Sequence, residues 1–145
     1  MRGQTSIDFL VGMSVFLLTV AFVFAALPNT FAPFAGDDGA DVLAADRVAA
    51  HLAEGTLARE GRPNVLNATC TEQFFDEDVP GPCHQSNLND ALGVGPTRRV
   101  NVTIESDEAL VYAAGPPVPT RGSVVVASRL VSLGGEERTL SVRVW

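Results

Sequence analysis

The chain has 145 residues and a mass of 15.3 kDa, with 17 Asp and Glu against 10 basic residues, a formal charge of -7 and a pI near 4.6. That length fits one modest domain with an appendage and leaves little room for two catalytic domains. The acidic balance excludes non-specific binding to nucleic acid, whose phosphates it repels. A hydrophobic content of 46% excludes a wholly disordered chain. All ten basic residues are Arg. An acidic, lysine-free chain fits a proteome adapted to high salt, where screening weakens self-repulsion; biased codon usage gives the same arginine preference.

The apolar residues are concentrated at the front. From Phe9 to Leu27 the chain reads FLVGMSVFLLTVAFVFAAL, uncharged and interrupted only by Gly12, Ser14 and Thr19. Ile7 and Asp8 bring the run to bilayer length, since a helix needs roughly 20 residues to cross ~30 Å of hydrocarbon. No polar stripe of helical period runs along it, so the predicted helix is apolar all round. Pro28 and Pro33 predict an irregular or kinked continuation. Residues 1–35 carry only Arg2 and Asp8, which cancel, so residues 36–145 hold nine Arg and sixteen acids. The pattern is a strongly acidic soluble domain on a neutral anchor. Arg2, the only positive residue ahead of the span, favours a cytoplasmic N-terminus and an external domain. A cleavable secretory signal is the alternative, with Val23-Phe24-Ala25 before Ala26 as its cleavage site. Against it stand the length of the apolar run, which exceeds the usual core of about 7–15 residues, the single arginine, and Asp8.

Asp8 is the most informative residue of this segment. A carboxylate at the centre of a span costs roughly 2.5–3.5 kcal/mol, less at the margin, and near a helix N-terminus it gains from the dipole. Either it sits at the headgroup level or it meets a positive group of a neighbouring chain. Arg2-Gly3 followed by Gln4-Thr5-Ser6-Ile7-Asp8 and an apolar helix resembles the short leader and mature start of archaeal type IV pilin-like precursors, small haloarchaeal ones included. The resemblance implies that a membrane prepilin peptidase cuts between Gly3 and Gln4 and leaves the helix attached. Asp8 then occupies the fifth mature position, where the family prefers Glu, and Gly12 stands where the pattern expects Leu.

The organisation so implied is a leader (1–3), a transmembrane and assembly helix with a kinked junction (4–35), and an extracytoplasmic acidic domain (36–145). Its partners are the membrane, the prepilin peptidase and other pilin-like subunits, self or related. Its role is that of a structural subunit of a surface filament or associated complex, in adhesion or surface interaction. The runner-up is a membrane-anchored external binding module that never polymerises. A cut before Gln4 creates an α-amine, with an ordinary pKa of about 7.7–8.0. Between bundled helices that amine and the Asp8 carboxylate can neutralise each other and favour one axial register. The same amine could instead reach its own Asp8, four residues on. Gly12 and Ser14 permit close helix approach.

In the domain, Asp37-Asp38-Gly39 signals a second helix over 41–59, with Val42, Ala45, Ala49, Leu52 and Ala53 at helical spacing and Val48 and Leu57 widening the stripe. It is expected to extend the stalk outward, to lay its apolar face on a sheet and to end at Gly61-Arg62-Pro63. Residues 61–97, rich in Pro, Gly, Asn and Asp, read as an irregular connection containing Cys70 and Cys83. Outside the membrane these two cysteines predict a disulfide. Asn67-Ala68-Thr69 and Asn101-Val102-Thr103 are both N-glycosylation acceptors. From Arg98 the pattern turns to strands: Val100, Val102 and Ile104 alternate with polar residues, and Leu110-Val111-Tyr112 can pair with them. Runs 123–133 and 139–144 flank Gly134-Gly135-Glu136 as a hairpin. Trp145 either anchors the sheet or contacts a next subunit. The fold class is α+β: the long apolar helix, a second helix and a small antiparallel sheet.

No catalytic pattern is legible. There is no Gly-x-Ser-x-Gly elbow and no phosphate loop, and Gly93-Val94-Gly95 lacks a third glycine and a strand–helix frame. Cys70, Cys83 and His84 match no closed zinc spacing. The Asp76-Glu77-Asp78 run fails as a calcium loop, because Pro80 and Asn87 stand at ligand positions. His51, adjacent to the apolar stripe, reads as a surface or boundary residue of the helix. No cofactor is expected.

Overall fold

The computed structural model describes residues 4–35 and 37–145, with side chains described for residues 6–27 and 39–145. The chain divides into two compact units, Met1–Gly39 and Ala40–Trp145. The first contains helix α1, Gln4–Ala35. The helix runs through Pro28 and Pro33, so the expected break is not found. A proline inside a helix forfeits one hydrogen bond and crowds the preceding turn, and helical neighbours on both sides carry the backbone past that defect.

Helix α2 spans Asp37–His51 and passes into a π-helical turn, Leu52–Thr56. The second helix therefore starts earlier and ends earlier than the periodicity predicts. Its last turn widens where Leu57 N–H donates to the Leu52 carbonyl at 3.1 Å, and Gly55 lies in that turn. The buried face is Ala45, Val48, Ala49, Leu52, Ala53 and Leu57, none more than 2% exposed. Val42, expected in the stripe, is exposed, so the packed face begins one turn later. Asp41 in that first turn pairs with Arg98 instead.

The connection over 61–97 is more regular than its composition suggests. Strand β1 (Ala58–Arg59) turns back into β2 (Arg62–Leu66), helix α3 follows at Ala68–Phe75, and a short α4 occupies Leu88–Leu92. Each helix has an asparagine cap. Asn67 Oδ1 accepts from Cys70 N–H at 3.2 Å, and Asn87 Oδ1 accepts from Asn89 and Asp90 N–H. A cap relieves an orphaned helix donor and stabilises by about 1 kcal/mol, enough to fix helices too short to show a periodic pattern. Cys70 and Cys83 form the expected disulfide, tying α3 to the loop that follows it.

Strands β3 (Val100–Glu105), β4 (Leu110–Ala114), β5 (Val125–Leu133) and β6 (Glu136–Val144) complete the sheet. Among the described residues it has six strands in the order β1-β2-β5-β6-β3-β4. It is mostly antiparallel; β2 and β5 meet in parallel at Val65 and Ser132, a pairing the expectation of an antiparallel sheet did not include. The β5–β6 hairpin closes on Gly134 and Gly135, both at positive φ, as a two-residue turn of this hand requires. Its flanking pair is Leu133 with Glu136, so Glu136 belongs to the strand.

One face of the sheet carries Val100, Val102, Ile104, Leu140, Val142 and Val144. These are fully buried in one cluster with the α2 face, Leu66, Phe74 and Val94. Phe75 of α3 lies 5.4 Å, ring to ring, from Tyr112 of β4. Trp145 is half-buried, and its backbone exchanges both hydrogen bonds with Arg99, extending the β3–β6 ladder by one pair.

Two stability measurements follow. Leu52→Ala should lower the unfolding free energy of the domain by about 2–5 kcal/mol, because Leu52 is fully buried between helix and sheet. Replacing both cysteines by serine should cost about 3 kcal/mol for a 13-residue separation. Denaturant midpoints with and without reductant would show that loss in the wild type and none in the double variant.

Candidate functional site

Helix α1 is the feature that demands a partner. Ser6–Leu27 is long and apolar enough to cross a membrane, and none of it is buried within the chain. Its 22 residues rise about 33 Å at 1.5 Å each, against ~30 Å of hydrocarbon. Apart from the half-buried Val20, large side chains from Ile7 to Leu27 stand 40–75% exposed. The two hydroxyls in the run do not need water. Ser14 Oγ donates to the Leu10 carbonyl at 2.7 Å and Thr19 Oγ1 to the Val15 carbonyl at 2.8 Å, so their hydrogen-bonding is met inside the helix, as hydrocarbon requires. Nothing lies within 4 Å of where a Cβ of Gly12 would be, so the backbone is open to a neighbour there. By length and composition this helix fits a membrane span or a signal sequence. Asp8 sits exposed in the second turn of α1. Gln4 opens the helix, while Gly3 and the rest of the expected leader lie outside the described residues.

In the second unit two arginines reach α2, one from the loop before β3 and one from the sheet. Arg98 donates to Asp41, and Arg129 of β5 donates to Asp46 of α2 at 2.6 Å. On the sheet face opposite the apolar cluster, three residues form a chain. Arg143 donates to Thr103 Oγ1 at 2.7 Å, Thr103 donates on to Glu105 Oε1 at 2.8 Å, and Arg143 also reaches Glu105 at 3.2 Å. The Thr103 hydrogen bond lowers the Glu105 pKa below its ordinary value most; partial burial opposes this, and Arg143 adds a hydrogen bond and its charge. A groove of about 300 Å³ runs beside Leu43, Arg47, Leu92 and Val94. Among the described residues no three His, Cys, Asp or Glu side chains converge as metal ligands would.

Residues 1–145 match the model of a family of unknown function, DUF7287. The chain belongs to DUF7287. No curated protein and no solved structure matches it. The DUF7287 match covers the apolar helix and the sheet alike, so the two units are parts of one family pattern.

Of the residues singled out in this DUF7287 chain, the fold brings together Cys70 and Cys83. It keeps Asn67 exposed at the start of α3 and encloses Asn101, 7% exposed, in the middle of the sheet. His51 is exposed on α2 with Nδ1 3.1 Å from Thr56 Oγ1, and His84 is exposed in a loop far along the chain from it. The Thr103–Glu105–Arg143 chain was missed. Alternation on β3 places Thr103 and Glu105 on one face, but Arg143 joins them only through the β3–β6 register.

That chain gives a pH dependence with a definite sign. A carboxyl whose folded pKa is depressed contributes stability above its unfolded value and loses it as pH falls through the folded one. Denaturant midpoints of the wild type should therefore fall as pH drops below the ordinary glutamate range. In Glu105→Gln the neutral-pH midpoint should be lower and the acid-side decline shallower. Glu105 is 38% exposed, so solvent screening keeps the effect modest.

Proposed function

We propose that this chain is a pilin-like structural subunit: inserted by α1, trimmed between Gly3 and Gln4 by a prepilin-type peptidase, and built into a type IV pilus-like surface filament or an associated complex. The observation that carries the reading is the 22-residue apolar segment, wholly unburied by its own chain and joined in sequence to a domain with a closed core. Such a segment is stable only in lipid or against other helices. The Gln4-Thr5-Ser6-Ile7-Asp8 start and its resemblance to pilin-like precursors favour both, in succession. The domain is then displayed outside, with an acidic surface suited to high ionic strength, and acts in adhesion or surface contact. Its disulfide agrees with an oxidising compartment.

At the head of the helix, the amine created at Gln4 and the Asp8 carboxylate of an adjacent subunit form the pair that sets register. Removing one partner leaves a charge unpaired in a low-dielectric bundle, which is strongly destabilising.

The mass of the native protein tests this. Loss of residues 1–3 is the expected result; an unprocessed chain would instead point to an anchored module that does not polymerise, and loss of residues 1–25 to a secreted protein. Asp8→Ala should insert normally but give much less sedimentable polymer than wild type. Unchanged polymer yield would remove the charge-pairing step.

A further inference from the structure

The chain holds two Asn-x-Thr motifs, and the fold treats them in opposite ways. Asn67, between β2 and α3, and Ala68 and Thr69, which open α3, are all exposed. The Asn67 backbone is fixed by donation to the Leu57 carbonyl at 2.8 Å, and its side-chain oxygen caps α3 by accepting from Cys70 N–H. Its amide nitrogen has no hydrogen-bond partner among the described residues. Asn101, Val102 and Thr103 lie within β3, which is bonded to β4 on one side and β6 on the other. They are 7%, 0% and 6% exposed. Asn101 Nδ2 donates to the Pro116 carbonyl at 3.1 Å, and the Thr103 hydroxyl lies between Arg143 and Glu105. Gly115, at φ +93, holds the chain so close to β3 that a Cβ would sit 2.2 Å from the Val100 carbonyl.

We infer that Asn67, and not Asn101, is an N-glycosylation site, taking a sugar chain from a phosphate-activated oligosaccharide donor. This rests on the external placement of the domain in the proposed function. In the transfer, Asn67 Nδ2 attacks the anomeric carbon of the first sugar. A C–N bond forms, the C–O bond to the phosphate breaks with its electron pair leaving on the phosphate, and one amide proton passes to base. The carbonyl oxygen is not consumed, so the modified residue still caps α3. Thr69 supplies the hydroxyl two positions on that the acceptor motif needs. At Asn101 the same bond would put a sugar where Pro116 sits and would break the strand packing on that face.

The test uses protein purified from its own cells, digested with trypsin and measured by mass spectrometry. Arg98 and Arg99 lie between the motifs and separate them into different peptides. The Asn67 peptide should carry a sugar mass and the Asn101 peptide none. Thr69→Ala should abolish the sugar mass completely while leaving the Asn67 cap, and hence the fold, in place. Protease treatment of intact cells reports separately whether the domain is outside. A bare Asn67 on an externally digested domain overturns the inference and leaves the proposed function standing, as does a sugar on Asn101. A bare Asn67 on a domain protected from the protease overturns both.

Discussion

The first constraint on this chain is an apolar surface that its own fold does not cover. Burying a Leu or Phe side chain is worth about 1.5–3 kcal/mol, and α1 exposes such side chains on every face from Ile7 to Leu27. In water such a surface is costly. Lipid satisfies the side chains, and the helix satisfies its own backbone and the hydroxyls of Ser14 and Thr19. Once in lipid, the hydrophobic effect no longer drives helices together; close packing and polar contacts do. Within the proposed function, the open backbone at Gly12 and the carboxylate at Asp8 are the two features of α1 suited to that second regime.

The second unit answers a different requirement, that of holding a fold in water while carrying excess negative charge. Its core closes around β3, β6 and the α2 face, with no need of the apolar helix. The charges that bridge elements are all arginine to carboxylate: Arg98 with Asp41, Arg129 with Asp46, Arg143 with Glu105. A planar guanidinium can hold two oxygens at once, as Arg143 does with Thr103 and Glu105, where a lysine ammonium offers only a point charge. Exposed pairs contribute little singly, so the lasting value of these contacts lies in orienting α2 and fixing the polar face of the sheet.

Hydrophobic patterning made the large elements legible and left the small ones hidden. The α1 run, the alternation of Val100, Val102 and Ile104, and the Gly134-Gly135 turn each carry their structure in consecutive residues. Helices α3 and α4 do not: eight and five residues long, they depend on Asn67, Asn87 and the Cys70–Cys83 bond rather than on a repeat. The π-helical turn was hidden for a related reason, since one wider turn shifts the end of a helix without altering its composition. The β2–β5 parallel contact and the Thr103–Glu105–Arg143 chain are properties of register between strands distant in sequence. The inequality of the two glycosylation motifs is of the same kind. Both read alike in the chain, and only the placement of β3 inside the sheet separates them.

Within the proposed function, the position of Asp8 fixes the order of events. A carboxylate in the second turn of a span is tolerated at the membrane margin, where the helix dipole also favours it, so insertion needs no prior cleavage. A cut before Gln4 creates an α-amine one helical turn from Asp8, about 6 Å away along the axis. A subunit can then present both a positive and a negative group within one turn of its helix. Its neighbour, carrying the same two groups, neutralises them best at one axial offset, about the rise of that turn. Cleavage therefore does more than discard a leader: it creates the second half of a pairing that the inserted helix already carries the first half of, and makes assembly conditional on processing.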